Sequence, residues 1–333
     1  MTAAELQALA DELGLDAIGA APAEPYVETE AHILERRERG LFGRVRFTMA
    51  RPDVSCHPER LLDGARTVIS AALCYYAEGP EPGPGEGRVA RYAWRDVYAD
   101  LRSRLELLGG RLGGRYRVFV DANHHVDREG ARRAGVGFYG KNTLLITRSH
   151  GSWVVLGTIV TDVEIEASPQ IAPGCGSCTL CIDACPTDAL DEPGVLDATR
   201  CIAYWLQTPE PIPAQVMDAT GDRVYGCDIC QDVCPWNRGV EKRRRGLHAG
   251  PDATPTVALA DWLSADGPEL VDELERLYVP KNDARWLRRN ALVALGNVGG
   301  PESRELAEPF ATSDDDVLAG VGRRAIDRVG ERA

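Results

Sequence analysis

The sequence lacks the features that a membrane protein, a secreted protein or a protein that coats nucleic acid requires. Its 333 residues contain no apolar run near the ~18 residues of a membrane span, and no basic-then-apolar leader follows Met1. The net charge of −13 argues against a broad electrostatic grip on nucleic acid. No D-x-H-x-x-G run occurs, so spacing does not identify a cobalamin site. We expect a cytosolic protein without a membrane anchor, whose thiols stay reduced.

Eight of the ten cysteines form a pattern that few ligands require. The first run, Cys175-x2-Cys178-x2-Cys181-x3-Cys185-Pro186, has the form found in bacterial ferredoxins, where the fourth cysteine ligates the other of two clusters. A second set ends in the same way, at Cys234-Pro235. The spacing therefore predicts two [4Fe–4S] clusters with crossed ligands. These are Cys175, Cys178, Cys181 and Cys234 for cluster 1, and Cys185, Cys201, Cys227 and Cys230 for cluster 2.

Two other uses of cysteine fit less well. A structural zinc ion is satisfied by four ligands and does not need two full quartets that end in Cys-Pro. Disulfides would require an oxidising compartment. Cys56 and Cys74 lie outside the pattern and are expected to be ordinary buried thiols.

The distribution of periodic segments favours an α/β (α+β) fold in three regions. Residues 1–170 alternate helical patterns, such as 3–13 and Tyr98–Leu112, with strand patterns such as Thr67–Leu73 and Tyr116–Val120. Residues 171–240 hold the cysteines in a ferredoxin-like insert. Residues 241–333 are helical, and their short amphipathic pairs predict a HEAT-like repeat.

Asp121 is the main candidate for acid chemistry, because it follows a predicted strand at the edge where open α/β sheets bind ligands. A carboxyl group there could deliver a proton, although an isolated Asp more often forms a turn or caps a helix. His124 and His125 could ligate a metal, but adjacent loop histidines are more often simply solvated. Clusters alone store electrons and select no substrate, so the first region is expected to hold the acceptor.

An ordered series of short motifs resembles the epoxyqueuosine reductase family over nearly the whole chain. The series consists of Met49-Ala-Arg51, Ala90-Arg-Tyr-Ala93, Val120-Asp121, Gly140-Lys-Asn142, the cysteine runs, Cys201-Ile-Ala-Tyr204, Tyr225-Gly-Cys-Asp-Ile-Cys and Arg285-Trp-Leu-Arg-Arg-Asn290. The resemblance implies a cobalamin-binding α/β domain, related to reductive dehalogenases, that completes queuosine synthesis at the wobble position of tRNA anticodons.

The resemblance also implies a role for particular residues. Asp121 corresponds to the family's proton donor. Residues expected to contact cob(II)alamin are Arg51, Arg91, Tyr92, Lys141, Asn142, Leu145, Leu156 and Ala203. Arg285, Arg288 and Arg289, together with the basic run after Cys234, are expected to meet tRNA phosphates. A flavodoxin- or ferredoxin-type protein would supply low-potential electrons, and the enzyme is expected to be a monomer.

Three stretches depart from the family pattern and bear on the substrate rather than on the cofactors. They are residues 122–128 after Asp121, residues 203–208 after Cys201, and residues 96–99 before the Tyr98 helix. One alternative is therefore a related cobalamin reductase that acts on a small organic substrate. A ferredoxin that only transfers electrons would leave the first 170 residues without a purpose.

Overall fold

The structure is a computed structural model that describes residues 1–121, 124–300 and 302–332. Ala122 and Asn123, the first two of the departures after Asp121, lie outside the described residues. No helix in the described ranges combines the length and the apolar character needed to cross a membrane.

A four-stranded antiparallel sheet forms the centre of the first region. Its strand order is β1-β2-β7-β4, with bounds β1 Ala17–Pro22, β2 Thr67–Cys74, β7 Val154–Thr161 and β4 Tyr116–Val120. All eight residues of β2 and all but the first of β7 are buried, because helices cover both faces of the sheet. Helices α1 (Ala3–Glu12) and α5 (Val97–Arg111) pack on one face, and α6 (Asp127–Arg133) packs on the other.

This sheet differs from the open parallel sheets on which the expectation for Asp121 was based. Every pair within it is antiparallel, so the mixed fold is of the α+β kind. The end of β4 is fixed by close packing at Gly157, which lies opposite Val120 in the neighbouring strand. A Cβ at Gly157 would lie 2.5 Å from Leu105 and 2.9 Å from Val120, so α5 approaches the sheet closely just below Asp121.

The remaining elements of the first region are short or peripheral. They are α2 Val27–Glu38, α3 Pro52–Ser55, α4 Pro58–Leu61, β3 Glu86–Val89, and the β5 Phe138–Tyr139 and β6 Leu145–Ile146 hairpin, with a 3₁₀ turn at Arg91–Ala93. The two proline-led helices begin with Pro at N1, where a missing N–H costs nothing.

Residues 171–240 contain only short elements, as the cysteine spacing predicts. These are α7 Leu180–Asp183, α8 Ile202–Trp205, α9 Ala214–Thr220, β8 Arg223–Tyr225, α10 Ile229–Asp232 and α11 Arg238–Arg243, with 3₁₀ turns at Ala198–Arg200 and Pro235–Asn237. Strand β8 pairs in parallel with β3, and β3 pairs with β9 (Thr256–Ala258). This small sheet therefore takes one strand from each of the three predicted regions, so the boundaries at 170 and 240 divide the sequence but not the packing.

Helices dominate the last region. They are α12 Leu259–Ser264, α13 Gly267–Glu273, α14 Arg285–Val298, α15 Ser303–Ala311 and α16 Asp316–Arg332, with a 3₁₀ turn at Pro280–Asn282. Helix α14 packs on α12, α16 and β8 and is buried around most of its circumference. One apolar core joins these helices to the cysteine region and to Trp94 of the first region. The HEAT-like repeat stays a prediction.

Candidate functional site

The first group of cysteines comes together as the spacing predicts. Burial raises the pKa of the Cys181 thiol, and the neighbouring thiols of Cys234, Cys175 and Cys178 raise it further. Cys234 in turn lies beside Cys175 and Cys178. Two chain segments some 50 residues apart therefore bring four sulfur atoms close together.

The second group is equally distinct. Cys201 lies beside Cys185, and Cys227 lies beside Cys201. Burial raises the pKa of Cys227 to about 12, and burial followed by the charges of Cys227 and Cys201 raises that of Cys230. Thiols in such surroundings become thiolates only if cations compensate their charge, as bound iron would.

The two groups are neighbours, because Cys181 is close enough to influence Cys230. Helices α7 and α10, which carry these two residues, pack against each other. Within the described part of the chain, no set of three or more His, Cys, Asp or Glu side chains is arranged to chelate a single metal ion. The donor set of four thiols per group suits a four-iron cluster.

Two predicted cofactor residues hold the backbone of these cysteine loops. The Lys141 ammonium donates to the carbonyl of Cys178 at 2.9 Å, and the Asn142 amide donates to the carbonyl of Cys230 at 3.5 Å. Asn142 is buried, and Lys141 is half-buried. The sequence Lys-Asn thus ties the first region to both cysteine groups at one point.

Asp121 is exposed at the end of β4 in a strained backbone conformation. Its φ of 46° lies in the left-handed region, which only a few per cent of non-glycine residues adopt and which recurs at functional sites. Surrounding protein raises the pKa of Asp121, the charge of Asp127 raises it further, and Arg102 opposes both. A carboxyl group that keeps its proton to higher pH is suited to act as a general acid.

Several groups around Asp121 are enclosed by protein although they keep part of their surface exposed. Tyr139 exposes 36% of its surface, yet enough protein surrounds its hydroxyl to raise its pKa. Tyr98 and Asp127 are only half-buried by surface area, and burial raises their pKa values as well. Groups can be both accessible and surrounded when they line a concavity, so we interpret these residues as the walls of a recess.

A chain of hydrogen bonds runs from the second cysteine group toward this recess. The Gln207 amide donates to the Tyr92 hydroxyl at 3.2 Å and to the Ala203 carbonyl at 3.0 Å. The Tyr225 hydroxyl donates to Gln207 at 3.2 Å and accepts from the Tyr278 amide at 2.8 Å. Tyr225 also feels the charge of Asp121. Hydrogen bonds thus connect the predicted residues Tyr92 and Ala203 to Tyr225, which lies near Asp121.

The other predicted corrin residues are placed differently. Arg51 is exposed and donates twice to Asp53, at 2.9 and 2.8 Å. Leu145 and Leu156 are buried and pack in one small apolar cluster. Arg91 pairs with Asp232 at 2.9 Å and lies over the rings of Tyr76, Trp94 and Trp153. The structure thus gathers Tyr92, Lys141, Asn142 and Ala203 around the cysteines, while the guanidinium groups of Arg51 and Arg91 are engaged by carboxylates.

Sequence reasoning missed Tyr98, Asp127, Gln207 and Tyr225 as parts of the site. The first three lie in the stretches that depart from the family pattern, which was the available signal. The expectation that His125 is solvated was wrong. His125 is 1% exposed, its Nε2 lies 3.1 Å from the Tyr26 hydroxyl, and burial lowers its pKa to about 3, so it is a neutral core residue.

The expected tRNA contact at Arg289 is also wrong. Arg289 is fully buried, and its guanidinium donates to the carbonyls of Trp205, Thr208 and Glu210. Burial lowers its pKa to about 9. A side chain with its donors used inside the core cannot reach a phosphate. Arg285 is partly exposed but pairs with Asp283 and Asp315 at 2.9 and 3.1 Å. Arg288 is half-buried and donates to the Ala265 carbonyl.

Two family models match parts of the chain. A 4Fe-4S double cluster binding domain matches residues 174–237, which contain all eight patterned cysteines. A model described as epoxyqueuosine reductase QueG, DUF1730, matches residues 56–122 and ends one residue beyond Asp121.

Whole-length relatives share one description. The epoxyqueuosine reductase of Lactococcus garvieae is 34% identical, with 91% of this chain and 90% of the relative covered. A crystal structure of epoxyqueuosine reductase with an epoxyqueuosine-modified tRNA stem loop matches with a TM-score of 0.86 and 29% identity, over 98% of this chain and 90% of that one. The Bacillus subtilis enzyme, solved with its aspartate catalytic loop swung out of the active site, matches with a TM-score of 0.81 and 26% identity, over 98% of both chains.

Proposed function

This chain belongs to the epoxyqueuosine reductase family and reduces epoxyqueuosine in tRNA; on that premise we propose that electrons reach the epoxide through two [4Fe–4S] clusters and cob(II)alamin beside Asp121. The observation that supports the route is the pair of adjacent cysteine groups, from which Ala203, Gln207 and Tyr225 lead to the surroundings of Asp121. We further propose that the reaction takes place at the wobble position of the anticodon and completes queuosine synthesis.

The chemistry sets what the chain must provide. Reduction of an epoxide to an alkene breaks both C–O bonds, forms a C=C bond, consumes two electrons and two protons, and releases the oxygen as water. Bound clusters supply the electrons one at a time, and a bound corrin cobalt supplies the reducing power at the carbon atoms. The protein must orient the substrate, exclude water from the site and deliver a proton.

Asp121 is the proton donor in this proposal. Protein burial and the negative charge of Asp127 favour its neutral form, so a proton is available where the epoxide oxygen leaves. The donor lies on a segment that follows a strand end held by Arg102, which donates to the Val120 carbonyl at 2.6 Å. In a relative, the loop with the catalytic aspartate is known swung out of the active site. The left-handed backbone of Asp121 suits a residue at a hinge.

The recess and its aromatic lining fit a large planar cofactor. Tyr92 and Ala203 would hold the corrin beside the second cysteine group, and Lys141 and Asn142 would support it from the opposite loop. Leu145 and Leu156 would form the apolar floor, while Arg51 and Arg91 would have to exchange carboxylate partners to reach the corrin. The two clusters would relay single electrons toward the corrin, and the second cysteine group is linked to Tyr92 through Ala203 and Gln207.

Arg285 and Arg288 remain the proposed tRNA contacts on the last region. Both lie on α14 and are at least partly accessible. The protein is proposed to act as a monomer in the cytoplasm, where thiols are kept reduced, with a flavodoxin- or ferredoxin-type donor. The alternative of a small organic substrate is not favoured, because the whole-length relatives are epoxyqueuosine reductases and one of them was solved with an epoxyqueuosine-modified tRNA stem loop.

The direct test is anaerobic reconstitution with iron, sulfide and cobalamin, followed by assay on tRNA that carries epoxyqueuosine. The proposal expects about eight irons per chain, corrin uptake and conversion of the modified nucleoside under dithionite. Asp121→Asn should retain both cofactors and lose conversion. Conversion of a halogenated aromatic but not of tRNA would support the alternative, and protein that takes up zinc but no corrin would contradict the proposed route.

A further inference from the structure

One exposed face carries more positive charge than the rest of this acidic chain would suggest. The α11 basic face, as we call it, consists of Arg238, Lys242 and Arg243 on helix α11, Arg245 in the turn that follows the helix, and Arg148 in the neighbouring turn between β6 and β7. We propose that this face docks an acidic one-electron carrier protein, which reduces the cluster that the first cysteine group would hold. The inference rests on the proposed function, since that function needs an external electron donor.

The charges of this face are not balanced within the protein. Among the ion pairs of the described residues, none includes Arg148, Lys242, Arg243 or Arg245, although all four are exposed. Arg238 forms one pair, with Glu241 at 3.3 Å. In a chain with a net charge of −13, such a concentration of unpaired cations favours an anionic partner.

The face adjoins the first cysteine group. The Trp236 indole donates to the Gly174 carbonyl at 3.2 Å, directly before Cys175. Helix α11 begins at Arg238, four residues after Cys234. With rises of 2.0 and 1.5 Å per residue in 3₁₀ and α-helix, the two Cα atoms lie roughly 8 Å apart along the chain axis. A partner seated on Arg238 would therefore be close to that group.

The loop of the first group faces solvent. Gly174, Gly176 and Ser177 around Cys175 are exposed. An electron that arrives from outside would thus enter at the first group, beside the basic face, and leave through the second toward the recess.

The face is firmly attached to the body of the protein. Val240 is 1% exposed in the core of the first region, and the Ser152 amide donates to the Asn237 side chain at 2.8 Å. Arg243 donates to the carbonyl of Ser149, which joins helix and turn. A surface pocket of about 380 Å³ beside the helix is lined by Arg238, Lys242 and Arg245 together with Tyr76, Glu78 and Glu241.

These features suit a transient carrier better than a tightly held substrate. Electron-transfer encounters use small interfaces, below about 1,200 Å², and depend on charge steering that raises association rates by ~10–10³-fold. The family resemblance assigns the basic run after Cys234 to tRNA phosphates; we assign it to a carrier instead, because its adjacency to the first cysteine group is essential for a carrier and of no benefit to tRNA. Binding of tRNA to the same face is the other outcome of the test.

The test uses the reconstituted holoenzyme with the double variant Lys242→Glu/Arg245→Glu. Its control, Arg60→Glu/Arg323→Glu, lowers the net charge equally at exposed positions elsewhere on the surface. Conversion of tRNA-bound epoxyqueuosine is measured with reduced flavodoxin and, separately, with dithionite, which needs no docking surface. The proposal expects the KM for flavodoxin to rise about tenfold in the double variant, with less dependence on salt, and an unchanged dithionite-driven rate.

Two results would overturn this assignment. The first is a flavodoxin KM that equals the wild-type value in the double variant. The second is a weaker affinity for tRNA together with a lower dithionite-driven rate, which would assign the face to tRNA. Failure of the wild-type protein to convert the substrate with dithionite would instead refute the proposed function itself, so the two failures are distinguishable.

Discussion

Replacement of Asp121 by Asn should slow the chemical step and stabilise the protein at the same time. General acids of this kind contribute ~10²–10⁴-fold, which corresponds to about 3–5 kcal/mol of barrier at 1.36 kcal/mol per factor of ten. We therefore expect the rate of epoxide reduction in the Asn variant to fall by a factor in that range. Asn accepts the left-handed backbone of position 121 about as readily as Asp, so the local conformation should persist.

The stability effect follows from the direction of the pKa shift. Burial, followed by the charge of Asp127, raises the pKa of Asp121 in the folded state. In the unfolded chain the carboxyl group ionises near pH 3.9, so above that pH ionisation favours the unfolded state. The destabilisation appears as pH rises through the unfolded pKa and is complete above the folded pKa. The Asn variant avoids this cost, so its advantage should be present at pH 7 and vanish below about pH 3.9.

The assay is a single turnover of dithionite-reduced holoenzyme on modified tRNA, followed by nucleoside analysis at several pH values. The rate should fall as pH rises through the pKa of Asp121. In a matched Asp127→Asn variant this decline should move to lower pH, because the like charge that raises the pKa of Asp121 is gone. Iron and corrin contents serve as controls. An Asp121→Asn rate within threefold of wild type, with both cofactors bound, would refute the acid role.

Three further predictions concern the cysteine groups, the buried arginine and the sheet. Cys234→Ala and Cys185→Ala should each lower bound iron from about eight to about four per chain, and about eight irons retained in either variant would contradict that residue's role as a ligand. Arg289→Met should lower the free energy of unfolding by ~2–4 kcal/mol, since three buried carbonyls lose charged donors, while tRNA affinity stays at the wild-type value. Gly157→Ala should cost about 1–3 kcal/mol in urea unfolding, because its Cβ would overlap Leu105; an unchanged midpoint would show that α5 can move away.

The sequence predicts those features that depend on residues close together in the chain. Alternation and apolar runs place Tyr116–Val120 as a strand in agreement with the structure, and the i, i+3, i+4 spacing of leucines places the helix at Val97–Arg111 within one residue of its predicted bounds. Cysteine spacing likewise anticipates which thiols lie together, since ligand sets in short loops are fixed by chain reach. These features depend on neighbours in sequence.

Sequence patterns did not predict how segments distant in the chain pack together. Sequence patterns separated the chain into three regions, whereas β3, β8 and β9 combine into one sheet across all of them. Arg285 and Arg289 are the same residue type on the same helix, yet Arg289 is buried and Arg285 is partly exposed. Which face of α14 meets the core depends on what packs against it, and no local pattern of charges encodes that.

By itself, the sequence determined the identity of the chemistry: eight thiols in a ferredoxin spacing, an acid after a strand, and the family whose motifs surround them. Tertiary structure alone decided which groups share an environment. It raised the pKa of Asp121 by burying it near Asp127, joined Tyr92 to Tyr225 through Gln207, and placed a basic helix beside the first cysteine group. The reason is physical: residue types and their spacing set which bonds are available, whereas burial and charge depend on distances that exist only in the folded chain.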